Sequence, residues 1–193
     1  MADAGRVVAG SARGIRLAAP GTGTRSLADR VKETLFAILE PDLPDARFLD
    51  LYAGSGAAGI EALSRGAKSA TFVERDARAA ATIRANLRAT RLADRATVVR
   101  ADVERFLGAA SGGPFHLAIA DPPYADVEGL IRALERLGAP GGPLVERARV
   151  VAKHFWRTPP PAEIGLLASE RERRFGETAL TFYRRRPDRG DAR

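Results

Sequence analysis

The chain has 193 residues, 45% hydrophobic and 28% charged, the balance of a folded globular protein long enough to bury a core. It has no cysteine and only His116 and His154 as histidines, which excludes a disulfide framework, a thiolate nucleophile and a cysteine-ligated zinc, and no metal is expected. A formal charge of +7 points to a polyanionic partner, while the absence of a secretory pattern and of any membrane-length apolar run predicts a cytoplasmic protein without membrane contact.

In chain order, residues 6–17, "RVVAGSARGIRL", predict a basic hairpin of two short strands around a Gly/Ser/Ala turn. A Gly/Pro/Thr linker, "AAPGTGTR", leads into "SLADRVKETLFAILEP". There Leu27, Val31, Leu35, Ile38 and Leu39 share a helical face, Ser26 is the expected N-cap and Pro41 the stop. Arg6, Arg13, Arg16, Arg25, Arg30 and Lys32 crowd this segment, where Asp3 and Asp29 are the only acids before Glu33. That excess of cations predicts a nucleic-acid-binding surface.

From Arg47 the pattern alternates. "RFLDLYA", "SATFVE", "RATVVRA", "FHLAIA" and "ARVVAKHFW" read as strands. Between them, "SGAAGIEALSRGA", "DARAAATIRANLRATRL", "DVERFLGAA" and "DVEGLIRALERLG" read as helices, the second with Ala80, Ile83, Leu87 and Leu92 inward. After "RTPPPAEIG", where a crossover helix is due, "LLASERERRF" and "ETALTFYRRR" flank Gly176 as an antiparallel hairpin at the sheet edge. The expected fold is α/β, a doubly wound, mostly parallel, Rossmann-like sheet with that C-terminal hairpin and the basic N-terminal one. Residues 1–46 are expected to form the N-terminal extension, 47–186 the α/β domain and 187–193 a disordered tail.

Residues 54–59, "GSGAAG", match G-x-G-x-x-G between a strand and a helix. Gly54 permits the turn, Gly56 lets a ligand approach the backbone, and the last glycine lets helix and sheet pack closely. Glu74, at the end of the next strand, can accept hydrogen bonds from ribose hydroxyls. Asp50, just before the loop, suits the positive end of an amino-acid-like ligand better than a pyrophosphate. Asp102 can cap the following helix or accept from an adenine amine. Acids at Asp50, Glu74, Asp102 and Asp121 all stand near carboxyl ends of strands, where ligands of open α/β sheets bind. A cationic, hydroxyl-rich ligand fits them, so S-adenosylmethionine is preferred over NAD.

Asp121-Pro122-Pro123-Tyr124 follows the strand "FHLAIA". An exocyclic base amine is a poor nucleophile because its lone pair is delocalised. Two acceptors, the Asp121 carboxylate and the Pro122 carbonyl, can grip its hydrogens and aim the lone pair. Pro122 and Pro123 fix φ and hold that carbonyl rigid, and Tyr124 offers a face for a flipped base. The competing readings are a strand-closing turn in a non-catalytic RNA-binding module and an NAD-dependent oxidoreductase built on the same glycine fingerprint.

"FLDLYAGSGAAGIEALSRGAKSATFVERD", "DVERFL" and "IADPPY" resemble the cofactor and catalytic motifs of class I SAM-dependent methyltransferases. "RVVAGSARGIRLAAP", "RSLADRVKETLFAIL" and "RRFGETALTFYRR" narrow the resemblance to the RsmD-like family, which methylates a guanine N2 amine of 16S ribosomal RNA. The resemblance implies that Asp50 and the loop Ala53, Gly54, Ser55 and Gly56 hold the methionine moiety, Glu74 the ribose, and Asp102 with Val103 the adenine. It places the guanine amine at Asp121–Tyr124 and RNA on the basic hairpin and helix. The chain departs from the family at Ser26-Leu27-Ala28, where Pro-Thr-Thr is usual. Asp-Pro-Pro-Tyr also serves adenine-N6 methyltransferases, so that activity is the alternative. A monomer acting on a partly assembled small ribosomal subunit is expected, since no separate target-recognition domain fits.

Overall fold

The computed structural model describes residues 3–21, 29–109 and 113–188, and the chain divides into two compact units, residues 1–103 and 104–193. The first unit opens with β1 (Asp3–Arg6) and β2 (Arg16–Ala18), paired antiparallel with Asp3 opposite Ala18 and Arg6 opposite Arg16. The basic hairpin expected over 6–17 is present, with its paired strands at and beyond the ends of that stretch and residues 7–15 forming the connection. The reason is competition for backbone groups from residues distant in sequence. The Glu61 carboxylate takes the amides of Val8 and Ala9 at 2.8 and 3.0 Å, and Ser64 Oγ takes that of Ala12 at 2.9 Å. Gly10 is required there, because a Cβ would lie 1.9 Å from the Ser64 carbonyl oxygen. The hairpin is thus bolted to the helix bearing Glu61 and Ser64.

Helix α1 (Asp29–Leu39) buries Val31, Lys32, Leu35, Phe36 and Leu39. Phe36, stacked on Phe48 at 6.3 Å, takes the core position expected for Ile38, which is half-buried. Pro41 ends the helix in a 3-10 turn, as expected; Ser26 and Leu27 lie outside the described residues. Next come β3 (Arg47–Leu51), α2 (Ala57–Ser64), β4 (Ser69–Glu74), α3 (Ala77–Ala89) and β5 (Ala96–Arg100). The strands are parallel in the order β5-β4-β3, with Asp50 beside Phe72 and Val73 beside Val99. Asp76 caps α3 by accepting from the Ala79 amide at 2.8 Å, and Ala80, Ile83 and Leu87 face inward as the spacing predicts. Burying a side chain such as Ile83 contributes about 1.5–3 kcal/mol.

Helix α4 (Val103–Gly108) begins at the boundary between the units. The second unit contains β6 (Phe115–Ala120), α5 (Val127–Leu137), β7 (Leu144–Phe155), β8 (Glu163–Ile164), β9 (Leu167–Phe175) and β10 (Thr178–Arg185). Its strands run in the order β6-β7-β10-β9-β8, parallel for β6 and β7 and antiparallel beyond. The hairpin expected around Gly176 is present, and β10 lies between β7 and β9. Strand β7 starts at Leu144, ahead of the expected start at Ala148, with Arg147 at φ 60° where the register with β6 shifts. The triple-proline stretch where a crossover helix would fall forms no helix. Strand β9 is exposed along most of its length and dense in charge, which protects an edge from pairing with another chain. Among the described residues no helix is long and apolar enough to cross a membrane. The tail expected at 187–193 lies, from residue 189 on, outside the described residues.

Candidate functional site

In the first unit the glycine loop leaves β3 and enters α2. Tyr52, Gly54 and Gly56 have φ of 59°, 55° and 78°. Tyr52 is the informative one, since a non-glycine residue held there costs about 1–3 kcal/mol and such strain gathers at ligand sites. Asp50 is 2% exposed and its Oδ2 accepts from the Gly59 amide at 2.8 Å, in the first turn of α2. The buried acid thereby anchors the positive end of that helix. A Cβ on Gly59 would lie 2.3 Å from a Phe72 ring carbon, so the last glycine of the fingerprint serves helix-to-sheet packing. The amide of Gly54 donates to Glu74 Oε2 at 2.9 Å and that of Asp76 to Oε1 at 2.8 Å. A carboxylate has about four acceptor sites, which leaves Glu74 capacity for hydroxyls.

Ala53 and Ser55 are buried in the loop, the Ala53 amide bonded to the Val73 carbonyl at 3.1 Å and the Gly56 amide to the Ala53 carbonyl at 2.7 Å. After β5, Asp102 is exposed and Val103 buried. Three parallel strands of one unit thus bring Asp50, Glu74 and Asp102 to their carboxyl ends. One contributor escaped the sequence reading. Asn86 accepts from the Ala18 amide and donates to the Ala18 and Ser55 carbonyls, each at 2.9 Å, which ties the N-terminal hairpin to the glycine loop. Its signal was a polar residue among Ala79, Ala80, Ile83 and Leu87 on the buried face of α3.

The expected RNA-binding cations separate. Arg13 and Arg30 are exposed; Arg6 and Arg16 are exposed but pair with Asp29 at 3.4 Å and Asp3 at 2.7 Å. Arg25 lies outside the described residues. Lys32 is corrected: it is 0% exposed, its ammonium donating to the Arg6 carbonyl and lying 3.1 Å from Asp29 Oδ1. A buried ammonium needs such partners, and this one is enclosed with its own and not offered to a phosphate.

In the second unit β6 delivers Asp121 to the loop before α5. Lys153 Nζ lies 2.6 Å from Asp121 Oδ1, with the side chains 12% and 20% exposed. Burial raises the Asp121 pKa above the ordinary carboxylate value, while the charge and hydrogen bond of Lys153 pull it down. The Pro123 carbonyl accepts from the Asp126 amide at 2.8 Å, and Asp126 caps α5 through the Gly129 amide at 3.0 Å. Among the described residues none donates to the Pro122 carbonyl. Tyr124 Oη shares a hydrogen bond with Thr178 Oγ1, the Lys153 ammonium lies 5.5 Å from its ring centroid, and Phe155 is tilted against it at 6.3 Å. A pocket lined by Pro122, Tyr124, Leu130, Lys153 and Phe155 opens here.

Lys153 was also missed, although a lone lysine in "VVAKHF" interrupts an apolar strand. His154 packs as expected. Its Nδ1 donates to the Phe155 carbonyl at 2.9 Å, and its Nε2 shares a hydrogen bond with Thr181 Oγ1 at 2.8 Å. Among the described residues no group of acids and histidines is placed to hold a metal ion.

The family model described as Conserved hypothetical protein 95 matches residues 5–184. YlbH of Bacillus subtilis is 39% identical over 184 residues, 94% of this chain and 99% of YlbH. Ribosomal RNA small subunit methyltransferase D of Escherichia coli K12 is 36% identical over 181 residues, 93% of this chain and 89% of that protein. Among solved structures, YhhF of Escherichia coli superposes with a TM-score of 0.84 at 35% identity, over 94% of this chain and 97% of YhhF. The doubly wound, mostly parallel α/β fold expected from the sequence is therefore the fold of this chain.

Proposed function

The chain belongs to the family described as Conserved hypothetical protein 95, and from that premise we propose that it transfers a methyl group to the N2 amine of a guanine in 16S ribosomal RNA of the small ribosomal subunit. The observation that carries this reading is the Asp121–Tyr124 loop, with one Asp121 oxygen held 2.6 Å from Lys153 and the Pro122 carbonyl fixed between two prolines. Those two acceptors suit the two hydrogens of an exocyclic amine. Gripping them draws the nitrogen toward tetrahedral geometry and frees its lone pair for attack. The alkylated amine then sheds a proton readily, so no histidine base is required.

S-adenosylmethionine supplies the methyl group as an electrophile on a sulfonium. The residues of the first unit fit it: Asp50, Glu74 and Asp102 are acids suited to ammonium, ribose and adenine, and the Gly54–Gly56 backbone admits close approach. Val103 adds an apolar contact for the base. Support for a ribosomal substrate comes from the name of the Escherichia coli relative and from the exposed arginines of the N-terminal hairpin. We place the protein in the cytoplasm as a monomer, acting on a partly assembled small subunit.

The deciding experiment incubates the protein with labelled S-adenosylmethionine and either naked 16S RNA or undermethylated small subunits, followed by nucleoside mass spectrometry. N2-methylguanine is the expected product, formed faster on subunits. N6-methyladenine in its place establishes the adenine alternative, and equal rates on both substrates remove the assembly requirement.

A further inference from the structure

Strand β7 runs past the Asp121 site into Phe155-Trp156-Arg157, and the β9–β10 hairpin brings Arg174 back to the same place. The guanidinium carbon of Arg174 lies 3.5 Å from the Trp156 ring centroid, and that of Arg157 lies 4.9 Å from it. Arg174 is further held by its Nε, which donates to the Gly176 carbonyl at 2.9 Å. Both arginines are exposed. Among the described residues no carboxylate lies within ion-pairing distance of either. Other arginines of the same unit are paired: Arg132 with Glu104, Arg184 with Glu170 and Arg186 with Glu163. The acids on the hairpin do not quench the pair. Glu172 is 3.5 Å from Thr181 Oγ1, and Glu177 meets Trp156 through its backbone carbonyl at 3.1 Å.

Stacking on an aromatic face fixes a guanidinium while leaving its N–H edge free, which is the presentation that suits a phosphate. The cluster is one ring from the amine site. Phe155 stands between, 6.3 Å from Tyr124 and 6.4 Å from Trp156 by ring centroids. We propose that Arg157 and Arg174, ordered by Trp156, form a phosphate-binding pair that holds the RNA backbone beside the guanine presented to Asp121–Tyr124. The inference rests on the RNA methyltransferase reading and adds a contact on the second unit, apart from the N-terminal cations.

The test uses the full chain, undermethylated small subunits and naked 16S RNA, with binding measured across a salt series. Trp156 is the single tryptophan, so its emission reports on the cluster directly. For the Arg157→Gln/Arg174→Gln double variant, RNA affinity falls about tenfold. Its slope of log K against log salt is shallower by about 1.4, as for two lost single-strand phosphate contacts. Affinity for S-adenosylhomocysteine, measured alongside, reports that the variant is folded. If wild type methylates RNA and the variant matches it in affinity and salt slope, the phosphate pair is overturned and the proposed function stands. If wild type labels no nucleoside in either substrate, the proposed function fails and the phosphate pair falls with it.

Discussion

Lys153 Nζ lies 2.6 Å from Asp121 Oδ1, so the acid assigned to the substrate amine is itself held by a strand two elements later in the chain. The pair has a consequence for pH. Asp121 accepts hydrogen bonds from an amine only as the carboxylate, and burial raises its pKa. Methyl transfer therefore declines on the acid side, with a limb above the usual carboxylate range. Both influences that lower this pKa come from Lys153, so Lys153→Met moves the limb to higher pH, while Lys153→Arg restores it in part. A pH–rate profile of both variants tests this.

Removing the acceptor itself gives a sharper loss. Asp121→Ala lowers kcat by about 10²-fold or more, because the amine is no longer aimed. S-adenosylhomocysteine affinity changes little, since the glycine loop and Glu74 are intact. Single-turnover transfer and calorimetry on the same preparation separate the two effects.

Gly59→Ala pits helix propensity against space. Alanine is favoured in a helix by up to about 1 kcal/mol over glycine. Its Cβ, however, would sit 2.3 Å from the buried Phe72 ring, where overpacking costs about 1–3 kcal/mol. Packing wins. Thermal unfolding is expected a few degrees lower, and cofactor affinity weaker as the start of α2 shifts; an unchanged Tm contradicts the assignment of this glycine to packing.

The corrected role of Lys32 separates stability from RNA binding. Lys32→Met leaves the Arg6 carbonyl without its donor, at about 1–3 kcal/mol, and does not alter the salt dependence of RNA binding. Arg13→Gln and Arg30→Gln do the reverse, each making the salt slope shallower by about 0.7 with Tm unchanged. Filter binding at several salt concentrations, beside thermal melts, gives both readouts.

Asn86→Ala strips hydrogen bonds from Ala18 and Ser55 together and is expected to cost about 2–3 kcal/mol. Asn86→Asp is worse, since a carboxylate would face the two carbonyls that now accept from Nδ2. Either change weakens cofactor binding through Ser55, which calorimetric titration with S-adenosylhomocysteine measures.

Much of this was legible in the order of residues. The alternation of short apolar runs with helical-period stretches placed the strands β3 to β6 within a residue or two, because those elements follow local period. The glycine fingerprint and Asp-Pro-Pro-Tyr were legible because glycine and proline dictate backbone shape wherever they occur. The basic hairpin was legible too, but its strands pair further out than the stretch 6–17, because Glu61 and Ser64, distant in sequence, take the amides of Val8, Ala9 and Ala12 between them.

Charge was the least legible property. The sequence by itself determined where acids and cations fall along the chain, and through its local periods, glycines and prolines the fold class, the glycine loop and the Asp-Pro-Pro-Tyr loop. Only the tertiary structure decided which charges are available. Lys32 is enclosed against Arg6 and Asp29, Lys153 is matched to Asp121, and Arg157 and Arg174 stand on Trp156 with no carboxylate partner among the described residues. The physical reason is that an ion pair or a stacked guanidinium is set by distances of a few ångströms between segments far apart in sequence, whereas helices, strands and turns are set by neighbours.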